Sequence, residues 1–354
     1  MNANRERPGG RRSPAGDLPP PPPPSALEVA LATLVDAPPA GDDWLHEIKL
    51  DGYRIVARLD RGEVQLITRG GKDWTERAPA VARSIAALPV KNAVLDGELV
   101  SLLKSGISSF QSLQNALSEG RSDSLVYYAF DLLFVDGRDT RPLPLLERKE
   151  ALAMLLAATS EATNVRLSDH VVGKGKTFFD KACRMGVEGT IAKRADAPYR
   201  SGRSKDWLKI KRIARQEFVV GGFTPPSGAR QHLGALLVGV REDGGLRYVG
   251  KVGTGFTARS LEELHARLTR IEQPRSPFAV TPKGAAVRGA RWVAPELVAE
   301  IAFTEFTDDG MLRHPSFQGL REDKPASVVV RERPAPQEPA RTRPRQRGRG
   351  RTPQ

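Results

Sequence analysis

The chain has 354 residues, 39% of them hydrophobic, a formal net charge of +13 and a single cysteine. That length exceeds the roughly 250 residues at which one core usually splits, so two packed domains are expected, and the charge favours a polyanionic partner. A lone Cys183, expected as a small buried helical residue, excludes an intrachain disulfide or thiolate zinc site; no apolar run approaches the roughly 20 residues of a membrane span, and the Arg- and Pro-bearing N-terminus is unlike a signal peptide, so a cytosolic protein is expected.

Residues 1–24, with a net charge of +2, end in the run Leu18-Pro19 through Pro24, which offers neither apolar side chains nor amide donors and is expected to be a solvated, disordered or polyproline II segment. Next, Tyr53–Leu59 and Val64–Thr68 alternate apolar residues about Asp60-Arg61-Gly62, which predicts a hairpin. A helix is predicted over Glu76–Leu88. Strands follow at Ala93–Leu102, Leu125–Phe134 and Gly189–Lys193, with helices near Ser108–Leu117, Leu146–Ala157 and Thr177–Met185. This is an α+β or mixed pattern. After about Arg215 the texture changes to short β-like runs, Phe218–Phe223, Ala235–Val240, Leu246–Val252 and Val298–Phe306, with one helix near Arg259–Leu268, as suits a small β-barrel. Residues 331–354 carry +6, leaving the core with +5; the segment from about Glu332 has no periodicity and is expected to be a disordered tail.

The most informative stretch is His46-Glu47-Ile48-Lys49-Leu50-Asp51-Gly52-Tyr53-Arg54, a lysine between two acids, followed by a glycine turn into a strand. A nucleophilic lysine must lose its proton, and nearby cations or burial lower its pKa. Alone, Lys-x-Asp-Gly is a weak motif that fits a charged, solvated strand end better. It is followed in order by Asp96-Gly97-Glu98, Phe130-Asp131, Glu188-Gly189 and Lys209-Ile210-Lys211, each on or beside a predicted strand, and by Leu312-Arg313-His314 through Arg321-Glu322-Asp323-Lys324. Lys209 and Lys211, two apart on a strand, point the same way.

Over about residues 40–330 these motifs resemble the covalent nucleotidyltransferase superfamily of DNA ligases, RNA ligases and mRNA capping enzymes. The resemblance implies an α+β fold: a nucleotidyltransferase (adenylation) domain, 25–215, followed by a C-terminal OB-fold β-barrel domain, 216–331. It implies that Lys49 attacks the α-phosphorus of ATP, that Glu47 faces the adenine, and that Arg54 meets the ribose and the DNA 5′-phosphate. Arg69, in Thr68-Arg69-Gly70-Gly71, is a further nucleotide- and phosphate-contacting arginine; many relatives carry Asn where Gly70 stands. Glu98 would take the ribose hydroxyl or a metal, Phe130 would stack on the purine, and Glu188 would bind a divalent cation, Mg²⁺ or Mn²⁺. Lys209 and Lys211 would meet the α-phosphate, and Arg321 and Lys324, with Arg313 as a third candidate, the pyrophosphate leaving group.

Trp44-Leu45-His46-Glu47, Gly234-Ala235-Leu236-Leu237-Val238-Gly239 and Gly250-Lys251-Val252-Gly253-Thr254-Gly255-Phe256 look like the ligase module of bacterial ligase D, an end-joining enzyme. The polymerase and phosphoesterase modules that commonly accompany it do not fit here, so a free-standing ligase, or one with companions encoded elsewhere, is expected. The resemblance implies sealing of nicked or broken duplex DNA in repair and recombination, near the nucleoid, with a Ku-like end-binding protein as partner. An RNA ligase or GTP-using capping enzyme shares the Lys49 chemistry, and a non-enzymatic nucleic-acid-binding protein would need the cations but not the paired acids. A hinge is expected near Arg212–Glu217, so that the barrel closes over ATP and then swings away for DNA. The arginines 341–351 are expected either to add nonspecific DNA affinity or merely to solubilise.

Overall fold

The protein is described by a computed structural model over residues 18–23, 27–158, 163–226 and 231–335. The first half runs β1 (Ala30–Leu34), β2 (Trp44–Ile48), β3 (Tyr53–Asp60), β4 (Glu63–Thr68), α1 (Pro79–Ala86), β5 (Asn92–Ser101), α2 (Phe110–Ser118), β6 (Leu125–Val135), β7 (Arg138–Asp139), α3 (Leu145–Ala157), β8 (Val165–Leu167), β9 (His170–Val172), α4 (Gly175–Met185), β10 (Gly189–Arg194) and β11 (Gly202–Lys211). It builds two sheets. One has the order β1-β11-β10-β2-β9, the other β4-β3-β5-β6-β7 with β8 parallel to β6.

Alternation decides which faces these strands bury. Tyr53, Ile55, Ala57 and Leu59 of β3 pack with Leu95 and Leu99 of β5 against Val81 and Ile85 of α1, Phe110 and Leu113 of α2 and Leu152 of α3. The other face sends Val56, Val94 and Phe130 toward Tyr199 and Trp207, which closes one end of the space between the sheets. The predicted hairpin forms, with Arg61 and Gly62 both at positive φ, 51° and 91°, as a tight turn between twisted strands requires. The single helix expected over Glu76–Leu88 is instead a 3₁₀ turn, Thr75–Arg77, and α1, because Pro79 lacks the amide to continue a turn but suits a helix start.

The second half runs β12 (Ala214–Thr224), β13 (Ala235–Glu242), β14 (Gly245–Val252), α5 (Ala258–Arg270), β15 (Glu272–Gln273), β16 (Arg291–Val293), β17 (Val298–Phe303) and β18 (Ser316–Arg321). Pairing runs β14-β13-β12-β17-β18, and a parallel bridge between Thr254 and Ser316 brings β18 back beside the end of β14. This closes a five-stranded barrel with its helix between the third and fourth strands, the OB arrangement. Its interior holds Phe218, Val220, Leu236, Val238, Val249, Ile301 and Phe317. The last predicted strand stops at Phe303, where Thr304 turns to accept the chain back through its amide bond to the Arg313 carbonyl.

Both ends reach further into the fold than composition suggests. Pro21 is buried, and the carbonyls of Pro19, Pro21 and Pro22 accept hydrogen bonds from Asn92 and Arg58. A proline run lacks donors but keeps its acceptors. Glu332, expected in the tail, lies in the cleft described next. The arginines 341–351 fall outside the described residues, and Cys183 sits half-buried on α4. Among the described residues no helix is long and apolar enough to cross a membrane.

Candidate active site

The period of two sets the site. On β2, Glu47 points to the side opposite Trp44 and His46, which pack toward α4; Lys49 follows in phase with Glu47. Ile191 pairs with both Glu47 and Lys209 across the sheet, while Gly189 receives the Lys49 amide at 2.9 Å and pairs with Lys211. The rows Glu47–Ile191–Lys209 and Lys49–Gly189–Lys211 therefore share one face. Gly189 is confined by the neighbouring strand: a Cβ there would lie 2.1 Å from the Ile210 carbonyl oxygen.

Facing them are Arg54, Glu98 and Phe130 from the second sheet, with Arg321 and Lys324 coming over from the barrel. Glu47, Lys49, Arg54, Arg69, Glu98, Phe130, Glu188, Lys209, Lys211, Arg321 and Lys324 all line one cleft of about 340 Å³. Arg313 does not; it is paired with Glu305 on the barrel surface at 2.6 Å. The same cleft takes Asp51, Ser168, Lys193, Trp207, Arg215, Glu217, Glu300 and Glu332, none assigned a role from sequence. Lys193 was within reach, since it shares strand parity with Gly189. Glu300 and Glu332 had no local signal.

Lys49 differs from expectation. Burial alone would depress its ammonium, but Glu188, with Asp51 and Glu300 behind it, outweighs burial and holds the pKa well above the ordinary value. Lys49 Nζ donates to Glu188 Oε2 at 2.6 Å. The cations expected to make it neutral are occupied: Lys209 and Lys211 both donate to Glu332, the latter at 3.0 Å, and Lys211 also donates to the Arg215 carbonyl. Arg215 itself reaches Asp51 at 2.6 Å.

Deeper in, Glu47 accepts from Lys149 at 3.0 Å, Lys193 at 2.8 Å and Ser168 at 3.2 Å. Burial pushes the Lys193 pKa down to about 8 despite that carboxylate. Lys193 stands 4.2 Å from the centre of the Phe130 ring and Arg54 stands 4.6 Å from it, so the ring is flanked by two cations. Arg54 is fixed by both oxygens of Asp96, at 2.5 and 2.6 Å, and Tyr199 donates to the same carboxylate at 2.6 Å. Glu98, opposite Arg54 on β5, has its carboxyl pushed up to about 7 because burial outweighs Arg54, Arg321 and Lys49.

From the barrel, Arg321 grips Asp323 at 2.8 Å and Glu300 at 2.9 Å, and donates to the Gly52 carbonyl at 3.2 Å. Its guanidinium lies 4.9 Å from the Tyr53 ring centre. Gly52 is confined: a Cβ would sit 2.1 Å from the Leu99 carbonyl oxygen. At Gly70 a Cβ would come within 2.9 Å of the Asp323 carbonyl oxygen, so the glycine admits the barrel here. Lys324 donates to Glu217 at 3.2 Å. Among the described residues no three His, Cys, Asp or Glu side chains converge as a metal cage. The cleft's carboxylates are nonetheless the hard donors that a nucleotide-borne magnesium takes singly, since phosphates and water fill its other positions.

Comparison with known proteins agrees in extent. The family described as "ATP dependent DNA ligase domain" matches residues 30–211, and "ATP dependent DNA ligase C terminal region" matches residues 229–324. The chain is 44% identical over 334 residues to the multifunctional non-homologous end joining protein LigD of Pseudomonas aeruginosa, covering 94% of this chain and 39% of that one. It is 38% identical over 291 residues to the LigD of Mycobacterium tuberculosis, covering 82% of this chain and 37% of that one. The chain thus spans about two fifths of these relatives. A mycobacterial DNA ligase D solved with ATP and MES superposes with a TM-score of 0.62 at 36% identity, over 85% of this chain and 98% of that one.

Proposed function

The chain belongs to the ATP-dependent DNA ligases, and from that premise we propose that the cleft carries adenylate on Lys49 and passes it to a 5′-phosphate at a DNA break. The observation that carries this is the convergence of eleven motif residues, drawn from both sheets and the barrel, on one cleft. In the first step Lys49 Nζ attacks the α-phosphorus of ATP, the bond to pyrophosphate breaks, and the amine gives up its proton. The adenylate then moves to the 5′-phosphate, and the 3′-hydroxyl displaces AMP as the phosphodiester forms.

The residues divide this work by charge and position. Glu188 orients Lys49, and its hydrogen bond must be given up before the amine can attack. Lys209 and Lys211 neutralise charge on the α-phosphate, and Arg321 and Lys324 take the pyrophosphate side. Glu98 and Arg54 hold the ribose, Arg69 a phosphate, and Phe130 with Glu47 the base. Glu188 and Glu98 would hold a divalent cation, which when bound supplies positive charge beside the phosphates.

Arg321, Lys324, Glu300 and Glu217 line the cleft from the barrel side, an arrangement that suits the first step, in which the barrel covers the nucleotide. The barrel therefore swings about Arg212 and Ile213, the link between β11 and β12; Ala214–Glu217, expected in the hinge, are instead held in β12 by pairing with β17. We assign the biological role to end joining, with a Ku-like protein as recruiter, on the likeness to the LigD relatives. A nicked duplex with ATP and magnesium tests the activity: sealing of a DNA nick is expected, whereas sealing of RNA nicks only, or labelling by GTP in place of ATP, would refute it. Failure to co-purify with a Ku-like protein from the same cell would remove the partner.

A further inference from the structure

Beyond β18 the chain turns through a 3₁₀ segment, Ala326–Val328, and runs back from the barrel to the adenylation domain. The strap is fastened along its length. Val329 and Val330 offer their carbonyls to the Arg241 amide at 2.7 Å and to Gln216 at 3.0 Å, the Glu332 amide donates to Gln216 at 2.9 Å, and the Ala335 amide donates to Leu34 of β1 at 2.9 Å. Val328 and Val330, both more than half exposed, line the cleft mouth instead of entering a core.

Between those anchors the Glu332 carboxylate lies on Lys209 and Lys211, one oxygen on each ammonium. These are the cations that the reading above gives to the nucleotide α-phosphate. Burial alone would raise the Glu332 pKa, but the two lysines hold it at about 2, so at working pH it stays anionic. Buried Lys209, pushed down to about 8, in turn needs an anion nearby to stay charged. A carboxylate and a phosphate on these two buried ammonium groups would repel each other, so the two compete for them.

We propose that Glu332 is a built-in occupant of the phosphate site, an intrachain anion on Lys209 and Lys211 that incoming ATP must displace, releasing the strap 329–335. This rests on the nucleotide reading of the cleft. It makes nucleotide entry compete with an intramolecular contact, so apparent affinity is reduced by the fraction of molecules whose site is occupied. It also ties ATP binding to loss of a tether between the barrel and β1.

The test is calorimetric binding of an ATP analogue with a methylene between the α- and β-phosphorus, with magnesium, to the full chain and to Glu332→Gln. The variant is expected to bind about tenfold more tightly, as for a site occupied nine times in ten. In the unaltered chain, hydrogen exchange at the amides of Glu332 and Ala335 should accelerate when the analogue is added. Equal or weaker binding by Glu332→Gln, or exchange unchanged by the analogue, would overturn the proposal. Ala335→Pro, which removes the amide bonded to Leu34 and leaves Glu332 in place, should tighten binding in the same direction and serves if Glu332→Gln does not fold. Should Lys49 still acquire adenylate while neither variant binds more tightly, only the strap falls; absence of both binding and adenylate would sink the nucleotide reading itself.

Discussion

Lys49 and Glu188 form an ion pair of 2.6 Å at the end of β2, and the pair keeps the amine proposed as nucleophile protonated until something else engages the carboxylate. Its worth therefore lies in placement rather than in activation of the resting amine. Glu188→Ala is expected to slow self-adenylylation by about 10²-fold, the scale for losing one preorganised charged contact, while the melting temperature changes little. Single-turnover labelling beside a thermal melt checks this. Labelling at the unaltered rate would mean that the pair has no part in the reaction.

The barrel and the adenylation domain are latched by Glu322, which accepts from Arg77 and Arg267, both at 2.9 Å, and by Gln114, which donates to the Leu320 carbonyl at 2.6 Å. Cysteines placed at Arg77 and Glu322 in a Cys183→Ser background and joined by a short bismaleimide should hold this arrangement. Self-adenylylation should persist and nick sealing should stop. Sealing at the uncrosslinked rate would contradict the swing.

His46 lies next to Glu47 but on the opposite face, fully buried, with no hydrogen-bond partner on either ring nitrogen. Burial lowers its pKa below the ordinary 6.5. A base whose folded-state pKa is depressed contributes stability that is whole above its unfolded value and lost as pH falls below it, by at most about 1.4 kcal/mol per pH unit. The urea midpoint of the unaltered chain should thus fall between pH 7 and 5 more steeply than that of His46→Leu. Parallel slopes would show that the ring is not the titrating group.

Much of this was legible because it depends on alternation. The Asp60-Arg61-Gly62 hairpin, the shared face of Lys209 and Lys211, and the turn after Lys49 each follow from spacing within a few residues. What escaped depends on partners far apart in the chain. The parallel pairing of β1 with β11 joins Ala30 to Gly202, the protonation of Lys49 is set chiefly by Glu188 with Asp51 and Glu300 behind it, and Glu332 reaches Lys209 from a stretch whose composition reads as solvated. A proline-rich or arginine-rich context describes what a segment lacks for making a core of its own. It does not describe which single carboxylate finds two buried lysines.

The central claim is that one amine, Lys49, takes adenylate from ATP. The most direct measurement is incubation of the unaltered protein and Lys49→Ala with α-labelled ATP and magnesium, followed by denaturing electrophoresis and then a chase with nicked DNA. The account predicts label on the unaltered chain, released to DNA in the chase, and none on Lys49→Ala. Label of equal intensity on Lys49→Ala, or an unaltered chain that never takes label, would contradict it.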